Sequence, residues 1–352
     1  MFLKAKVSED FFVSLEGSDS WSGTLPAPAQ DKTDGPFATL ARARDAVREL
    51  KKTRIDSDIS VLIRGGRYVL KETVVFHLED GGNEKQRITY AAYPNETPVF
   101  SSGVPITGWQ KLEKDPAALP EKARGNLWVV DIPDELGRIL TLFDGDKRLL
   151  RARGKGFMTD KVKFEATRSF NVVKKDDRYL YKRIPFPEGA LKKWANVEDA
   201  EVFSVPVPWC LNILPLESVD EKKRVAWAAI EGTCPPFSKP SSPAWVENMI
   251  DFLDEPGEWV VNTQERKIYL WPLRDEPGEH IVAPYLKEFI KVEGRIDDNA
   301  PVDIPLRNLT FRGLTFTHGE RDVWDFDHKG WGIQHDWEKV DRGTALMRFR
   351  GA

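Results

Sequence analysis

From Ile59 to Gly103 the chain alternates short apolar runs with glycine, proline and asparagine. I-S-V-L-I-R (59–64) gives way to Gly65-Gly66, then to R-Y-V-L, T-V-V-F-H-L, R-I-T-Y-A-A-Y (87–93) and P-V-F-S-S-G. Alternation bounded by such breakers is the pattern of half-buried strands. These strands follow one another too closely for crossover helices to fit between them. A chain of hairpins would need repeated two-residue turns, and only Asp80-Gly81, inside a longer loop, has that form. The spacing therefore predicts a parallel β-helix, in which each strand pairs with the next coil instead of its sequence neighbour. One helix precedes it. In P-F-A-T-L-A-R-A-R-D-A-V-R-E-L-K-K, Thr39 is a candidate N-cap, and Leu40, Ala43, Val47 and Leu50 share one face. Such a helix reads as a cap over the end of the coils.

The pattern changes after Gly108-Trp109. Asp144-Gly145 separates I-L-T-L-F from K-R-L-L-R-A-R, a hairpin signal, and E-W-V-V (258–261) and K-I-Y-L-W (267–271) flank N-T-Q-E-R. Residues 109–276 are read as an inserted antiparallel β-sandwich, whose middle, about 160–245, gives no strand order. Coil-like strands return beyond 276, in E-F-I-K-V-E-G-R (288–295) and P-L-R-N-L-T-F-R-G-L-T-F (305–316), with Gly313 at a corner. F-I-K-V-E-G (289–294) matches L-M-R-F-R-G (346–351) in pattern at an offset of 57 residues, the mark of one coil enlarged by an excursion. The expected organisation is all-β: cap and first coils over 1–108, the insertion over 109–276, and resumed β-helix over 277–352. Because the last strand starts a coil that nothing caps, the chain is expected to be the front part of a longer protein.

Composition narrows the functional classes. A chain of 352 residues can hold two sizeable cores or an elongated solenoid with an insertion. The net charge of -4 gives no footprint for nucleic acid, and no apolar run is long enough for a membrane-spanning helix. Lys4, Lys6, Glu9 and Asp10 interrupt the amino end, so no signal peptide is read there. The expected location is cytoplasmic, or secreted or periplasmic if an export signal is missing. Cys210 and Cys234 lack zinc-site spacing and are too few for a disulfide framework, leaving buried thiols or a single bridge. Twelve tryptophans either fill β cores or provide flat platforms for ring-shaped ligands. The chain contains no G-x-S-x-G, P-loop or G-x-G-x-x-G motif.

The richest chemistry lies in T-H-G-E-R-D-V-W-D-F-D-H-K-G-W-G-I-Q-H-D-W-E-K (317–339). Indoles beside carboxylates and imidazoles suit a sugar: apolar faces to stack on, acceptors for hydroxyls, and an acid–base pair. Trp324, Trp331 and His335 are the candidate substrate contacts. Asp325 and Asp327 would lie about 7 Å apart on one face of an extended segment, flanking a glycosidic bond. A polar loop lying over a β surface has the same composition, so a purely structural role stays open. His318, His328 and His335 match no compact metal-ligand spacing, and neither metal nor cofactor is expected. A second cluster, Glu247, Asn248, Asp251 and Glu258, is read as structural around a D-E-P-G turn, with Glu247-Asn248 facing the solenoid cleft as the alternative.

Several stretches together resemble a known family. F-V-S-L-E-G-S-D-S-W-S-G-T (12–24) and D-G-P-F-A-T-L-A-R-A-R-D-A-V (34–47) are similar to the amino end of right-handed, pectate-lyase-like parallel β-helix proteins that act on polysaccharides. L-I-R-G-G-R-Y-V-L, I-T-Y-A-A-Y-P-N-E-T-P-V-F-S-S-G with I-T-G-W, and W-V-E-N-M-I-D-F-L-D-E-P-G-E-W with K-I-Y-L-W-P resemble glycoside hydrolase family 141. That family includes α-L-fucosidases and xylanases. The resemblance implies a β-helix with a β-sandwich insertion, an oligo- or polysaccharide substrate, and catalytic carboxylates on later coils. No catalytic residue of this chain is assigned, and the isolated chain is expected to be inactive without a carboxyl-terminal β-helix part. Two rivals use the same residues: a polysaccharide lyase, with calcium held by Asp325, Asp327 and Asp336, and a non-catalytic carbohydrate-binding module.

Overall fold

The computed structural model describes residues 9–159, 175–208, 210–232, 242–296, 303–321, 331–332 and 345–352. The chain is mostly β-structure with one α-helix among the described residues, and it divides into two compact units. The first comprises residues 1–104, 284–321 and 343–352; the second comprises 105–283 and 322–342.

Among the described residues three sheets build the first unit, and every strand pairing in them is parallel. One sheet joins Phe11–Val13, Ile59–Ile63, Ile88–Ala92 and Leu309–Arg312. A second joins Gly66–Val69, Pro98–Ser101 and Thr315–Thr317. A third joins Val74–Phe76, Ile290–Glu293 and Met347–Arg350. From Ile59 onward the chain visits the three sheets in the same cyclic order on each pass. Corners between them use left-handed backbone, as at Gly313 (φ +71°) and Asn308 (φ +56°), where short or absent side chains avoid the steric penalty.

Alternation decides what faces inward. Ile59, Val61 and Ile63 are buried, as are Ile88 and Tyr90 on the next strand. Like residues stack on like across the register. Tyr68, Phe100 and Phe316 are successive partners, with ring centroids 5.3 Å and 5.6 Å apart. Tyr90 stacks on its partner Phe311 at 5.7 Å, and Phe76 meets Tyr90 edge-on at 5.3 Å. Such aromatic contacts add about 0.5–1.5 kcal/mol each beyond the area they bury.

The helix Leu40–Lys51 closes one side of this core with Leu40, Ala43, Ala46 and Val47. Its start is fixed twice. Thr39 Oγ1 accepts from Arg42 N at 3.1 Å, and Asp19 accepts from the Ala38 and Thr39 amides and from the Thr39 hydroxyl. At the opposite edge the last strands are less covered: Phe349 is 54% exposed, and Leu309, Phe311, Phe316 and Met347 are only half-buried. A cavity of about 500 Å³, lined among others by Val292, Leu306, Leu309 and Phe349, opens there.

The second unit holds two further sheets. In one, Ile281–Pro284, Leu142–Asp144, Lys147–Arg151, Glu258–Asn262, Lys267–Leu270, Trp128–Asp131 and Gln110–Lys111 follow one another. The hairpin across Asp144-Gly145 forms with Leu142 opposite Leu149, and Trp259 pairs with Leu270 across the second predicted hairpin. This sheet departs from the purely antiparallel expectation, since Lys147–Arg151 runs parallel to Glu258–Asn262. The other sheet is antiparallel and centred on a long hairpin, Glu201–Val207 with Cys210–Asp220. The hydrophobic–polar pattern missed that hairpin because Pro206 and Pro215 interrupt it. Pro206 sits where the register shifts between Ser204 and Val207, at a bulge that needs no ladder N–H. Cys210 is buried on this hairpin, and Cys234 lies outside the described residues.

Candidate functional site

Of the residues expected to touch sugar, Trp324, Asp325, Asp327 and His335 lie outside the described residues, as do His328, Asp336 and Trp337. Trp331 belongs by its backbone to the strand Trp331–Gly332, which pairs antiparallel with Ile213 and Asn212 in the second unit. The start of this stretch, up to Arg321, is described. His318 is buried, with left-handed backbone (φ +54°), and its Nδ1 lies 2.8 Å from Ser101 Oγ. Ser102 Oγ donates to the His318 carbonyl at 2.7 Å while accepting from the Leu286 amide at 2.9 Å. His318 is thus an anchor inside the first unit. The second cluster is structural. Asn248 bridges Asp199 and Val261 through three hydrogen bonds, Glu258 accepts from the Asp254 and Glu255 amides, and Asp251 accepts from the Trp194 indole.

A different group of side chains comes together on the outer face of the third parallel sheet. Val74 and Phe76 point inward, so Val75 and His77 point out; Lys291 and Glu293 do the same on the next strand, and Arg348 and Arg350 on the last. Register places Lys291 beside Arg348 and Glu293 beside Arg350. His77 Nδ1 is 3.8 Å from Glu293 Oε2, and Lys291 Nζ is 2.6 Å from Glu293 Oε1. A cavity of about 560 Å³ opens beside them, lined by His77, Glu79, Glu293, Arg295 and Arg350, with Leu78 and Ile296 as its apolar wall. That volume lies within the roughly 300–1,000 Å³ of small-ligand pockets.

The helix secures the cavity's rim. Arg48 grips the fully buried Asp80 with two 2.7 Å hydrogen bonds and reaches Glu79 at 3.0 Å. The Asp80 contact pushes the Arg48 guanidinium above its ordinary value. Lys51 donates to the Glu79 and Gly81 carbonyls, and burial lowers its ammonium pKa. Asp80 in turn accepts from the His77 amide at 2.7 Å. The turn Leu78–Asp80 is therefore held from both sides.

Two glutamates on this face are driven in opposite directions. Burial raises the Glu288 carboxyl, against the nearby charges of Arg348 and Lys291; its Oε2 finds no hydrogen-bond partner among the described residues and lies 3.9 Å from Arg348. Burial also opposes ionisation of Glu293, but the hydrogen bond and charge of Lys291, with His77 and Arg348, hold it below the usual range. A carboxyl whose pKa is raised by folding costs stability once pH passes its folded value, and nothing below its unfolded one. Glu288→Gln is therefore expected to raise the melting temperature at pH 7, with the gain vanishing as pH falls below the ordinary glutamate range. Thermal denaturation at pH 7 and pH 4 checks this; an equal gain at both would exclude titration of Glu288 as its source.

This outer-face group was not found from the sequence, although a trace of it was visible. K-V-E-G and R-F-R-G, the ends of the 57-residue repeat, put charged residues at alternating positions that stack once the strands pair in register. Among the described residues no group of three or more His, Cys, Asp or Glu could hold a metal ion.

No family model matches the chain, and no curated protein matches it. Among solved structures, one described as "Glycoside hydrolase" superposes with a TM-score of 0.64 and 24% identity, covering 89% of this chain. The chain spans about half that structure's length, 51%. A second, "The complex structure of XylC with xylose", aligns with a TM-score of 0.33 and 13% identity over 88% of this chain and 35% of its own, too weak a likeness to interpret. This mostly β chain shares its fold with about half of the structure described as a glycoside hydrolase.

Proposed function

We propose that this chain forms part of a glycoside hydrolase acting on plant-type polysaccharide, fucosidase- or xylanase-like, on a right-handed parallel β-helix. In this reading the three parallel sheets are the faces of the β-helix, residues 109–276 form the inserted β domain, and 277–352 resume the coils. Substrate would be touched by Trp324, Trp331 and His335, with Asp325 and Asp327 nearby. The acid–base pair of carboxylates would be supplied by further coils stacked on the half-covered edge at Phe349. Protonation of the leaving oxygen by one carboxyl and attack by water or by the other carboxylate would then need no cofactor. The observation that carries the proposal is the fold match over 89% of the chain to a structure described as a glycoside hydrolase.

The test is sugar release. The whole protein that carries this chain is expected to liberate reducing sugar from a xylose-based or fucosylated glycan. Silence across a broad panel of such glycans would overturn the proposal.

A further inference from the structure

The cavity on the outer face of the third sheet is lined by charged side chains, yet most of its cations are already spent. Arg48 is committed to the buried Asp80 through two 2.7 Å hydrogen bonds, Lys291 holds Glu293 at 2.6 Å, and Arg350 is engaged as well. A carboxylate or phosphate entering here would meet cations in use and the oxygens of Glu79 and Glu293. Arg295 and Glu79 remain, and their opposite charges offset one another, so the lining selects neither an anion nor a cation. What stays open is hydrogen-bonding capacity. Glu293 Oε2 lies 3.8 Å from His77 Nδ1, beyond hydrogen-bond distance, and the Glu79 side chain is 61% exposed. The exposed Arg295 and the His77 ring supply donors. Acceptors and donors side by side suit hydroxyl groups, each of which donates one hydrogen bond and accepts others. Leu78 and Ile296 add an apolar wall for the C–H face of a ring.

We infer that this cavity is a subsite for an uncharged sugar unit of a glycan, its hydroxyls bonded by Glu79, Glu293 and Arg295 and its ring lying against Leu78 and Ile296. The inference rests on the reading of this protein as acting on polysaccharide. It adds binding residues that are not among Trp324, Trp331 and His335, and the class of sugar they take. The helix contributes by fixing the turn Leu78–Asp80 through Arg48 and Lys51, so that the wall is formed before ligand arrives.

Calorimetric titration of the chain with three probes tests it: xylotetraose, which is uncharged, tetragalacturonate, which is anionic, and the tetramer of glucosamine, which is cationic. Xylotetraose is expected to bind about tenfold more tightly than either of the others, a difference near 1.4 kcal/mol. Added salt should leave its affinity unchanged, since no ionic contact with the ligand is made. Glu79→Ala, which removes an acceptor, and Leu78→Asp, which charges the apolar wall, should each weaken it about fivefold. Both side chains reach the surface, Glu79 61% and Leu78 38% exposed, so the fold tolerates the changes. Absence of xylotetraose binding, equal or tighter binding of a charged probe, or undiminished affinity in both variants would overturn the inference. So would affinity lost in Trp331→Ala and kept in both cavity variants, which places the sugar elsewhere. The outcome is separable from the hydrolase proposal. Hydrolysis with KM unchanged in Glu79→Ala and Leu78→Asp sinks the subsite alone, while xylotetraose binding that both variants weaken, in a protein that cleaves nothing, upholds the subsite and sinks hydrolysis.

Discussion

Arg151→Leu is expected to destabilise the second unit by about 3–5 kcal/mol, because it strands a charge in the interior. Arg151 and Glu201 are 5% and 0% exposed at their side chains, and the guanidinium donates directly to Glu201 Oε2. The guanidinium also lies 6.0 Å from the ring centroid of Trp259, itself fully buried. Without Arg151 the Glu201 carboxyl must either remain ionised in a poorly solvating interior or take up a proton, and both cost stability at neutral pH. The pair as a whole need not be stabilising, since two ions were desolvated to make it. Arg151→Leu combined with Glu201→Leu is therefore expected to lose less than the sum of the single changes. Calorimetric unfolding of the single and double variants checks both statements. A cost below about 1 kcal/mol for Arg151→Leu would show that the pair is screened by water despite its burial.

The second large effect belongs to the first unit. Phe100 is 1% exposed and lies between Tyr68 and Phe316, its register partners on the strands to either side. Phe100→Ala removes a ring from the middle of a stack whose neighbours are fixed by parallel pairing and cannot easily collapse into the space. The expected cost is about 3–5 kcal/mol, from lost burial plus the cavity left behind. Phe100→Leu, which keeps much of the volume, should cost less. Phe316→Ala should also cost less than Phe100→Ala, since Phe316 lies on the half-covered edge strand Thr315–Thr317. If Phe316→Ala proved as costly as Phe100→Ala, that edge would have to be covered in solution.

The same edge connects stability to the proposed function. Phe349, Met347, Phe311 and Leu309 present apolar surface on the last strands of the third and first sheets. In the glycoside hydrolase proposed above, strands added to this edge would bury these side chains.

What the chain could reveal by itself depended on distance along it. Inside and outside on each strand were legible at Val61, Tyr90 and Phe311, because a side chain's direction reverses with every residue of a strand. The helix was legible from Thr39 and its apolar face, and the hairpins at Asp144-Gly145 and Thr263–Arg266 from their turn residues, since caps and turns are local chemistry. Even one long-range pairing could be read: the 57-residue repeat is the register that sets Ile290 beside Met347 and Glu293 beside Arg350. The hairpin Glu201–Asp220 could not, because its prolines are acceptable only at the bulge and strand positions that pairing creates. Nor could the cavity. His77 and Glu293 stand 216 positions apart in the sequence with residues 105–283 of the second unit between them, and nothing local marks either as a neighbour of the other. Sequence set which residues faced outward; stacking of the parallel strands decided which outward residues met, because register, unlike side-chain direction, is fixed by the partner strand.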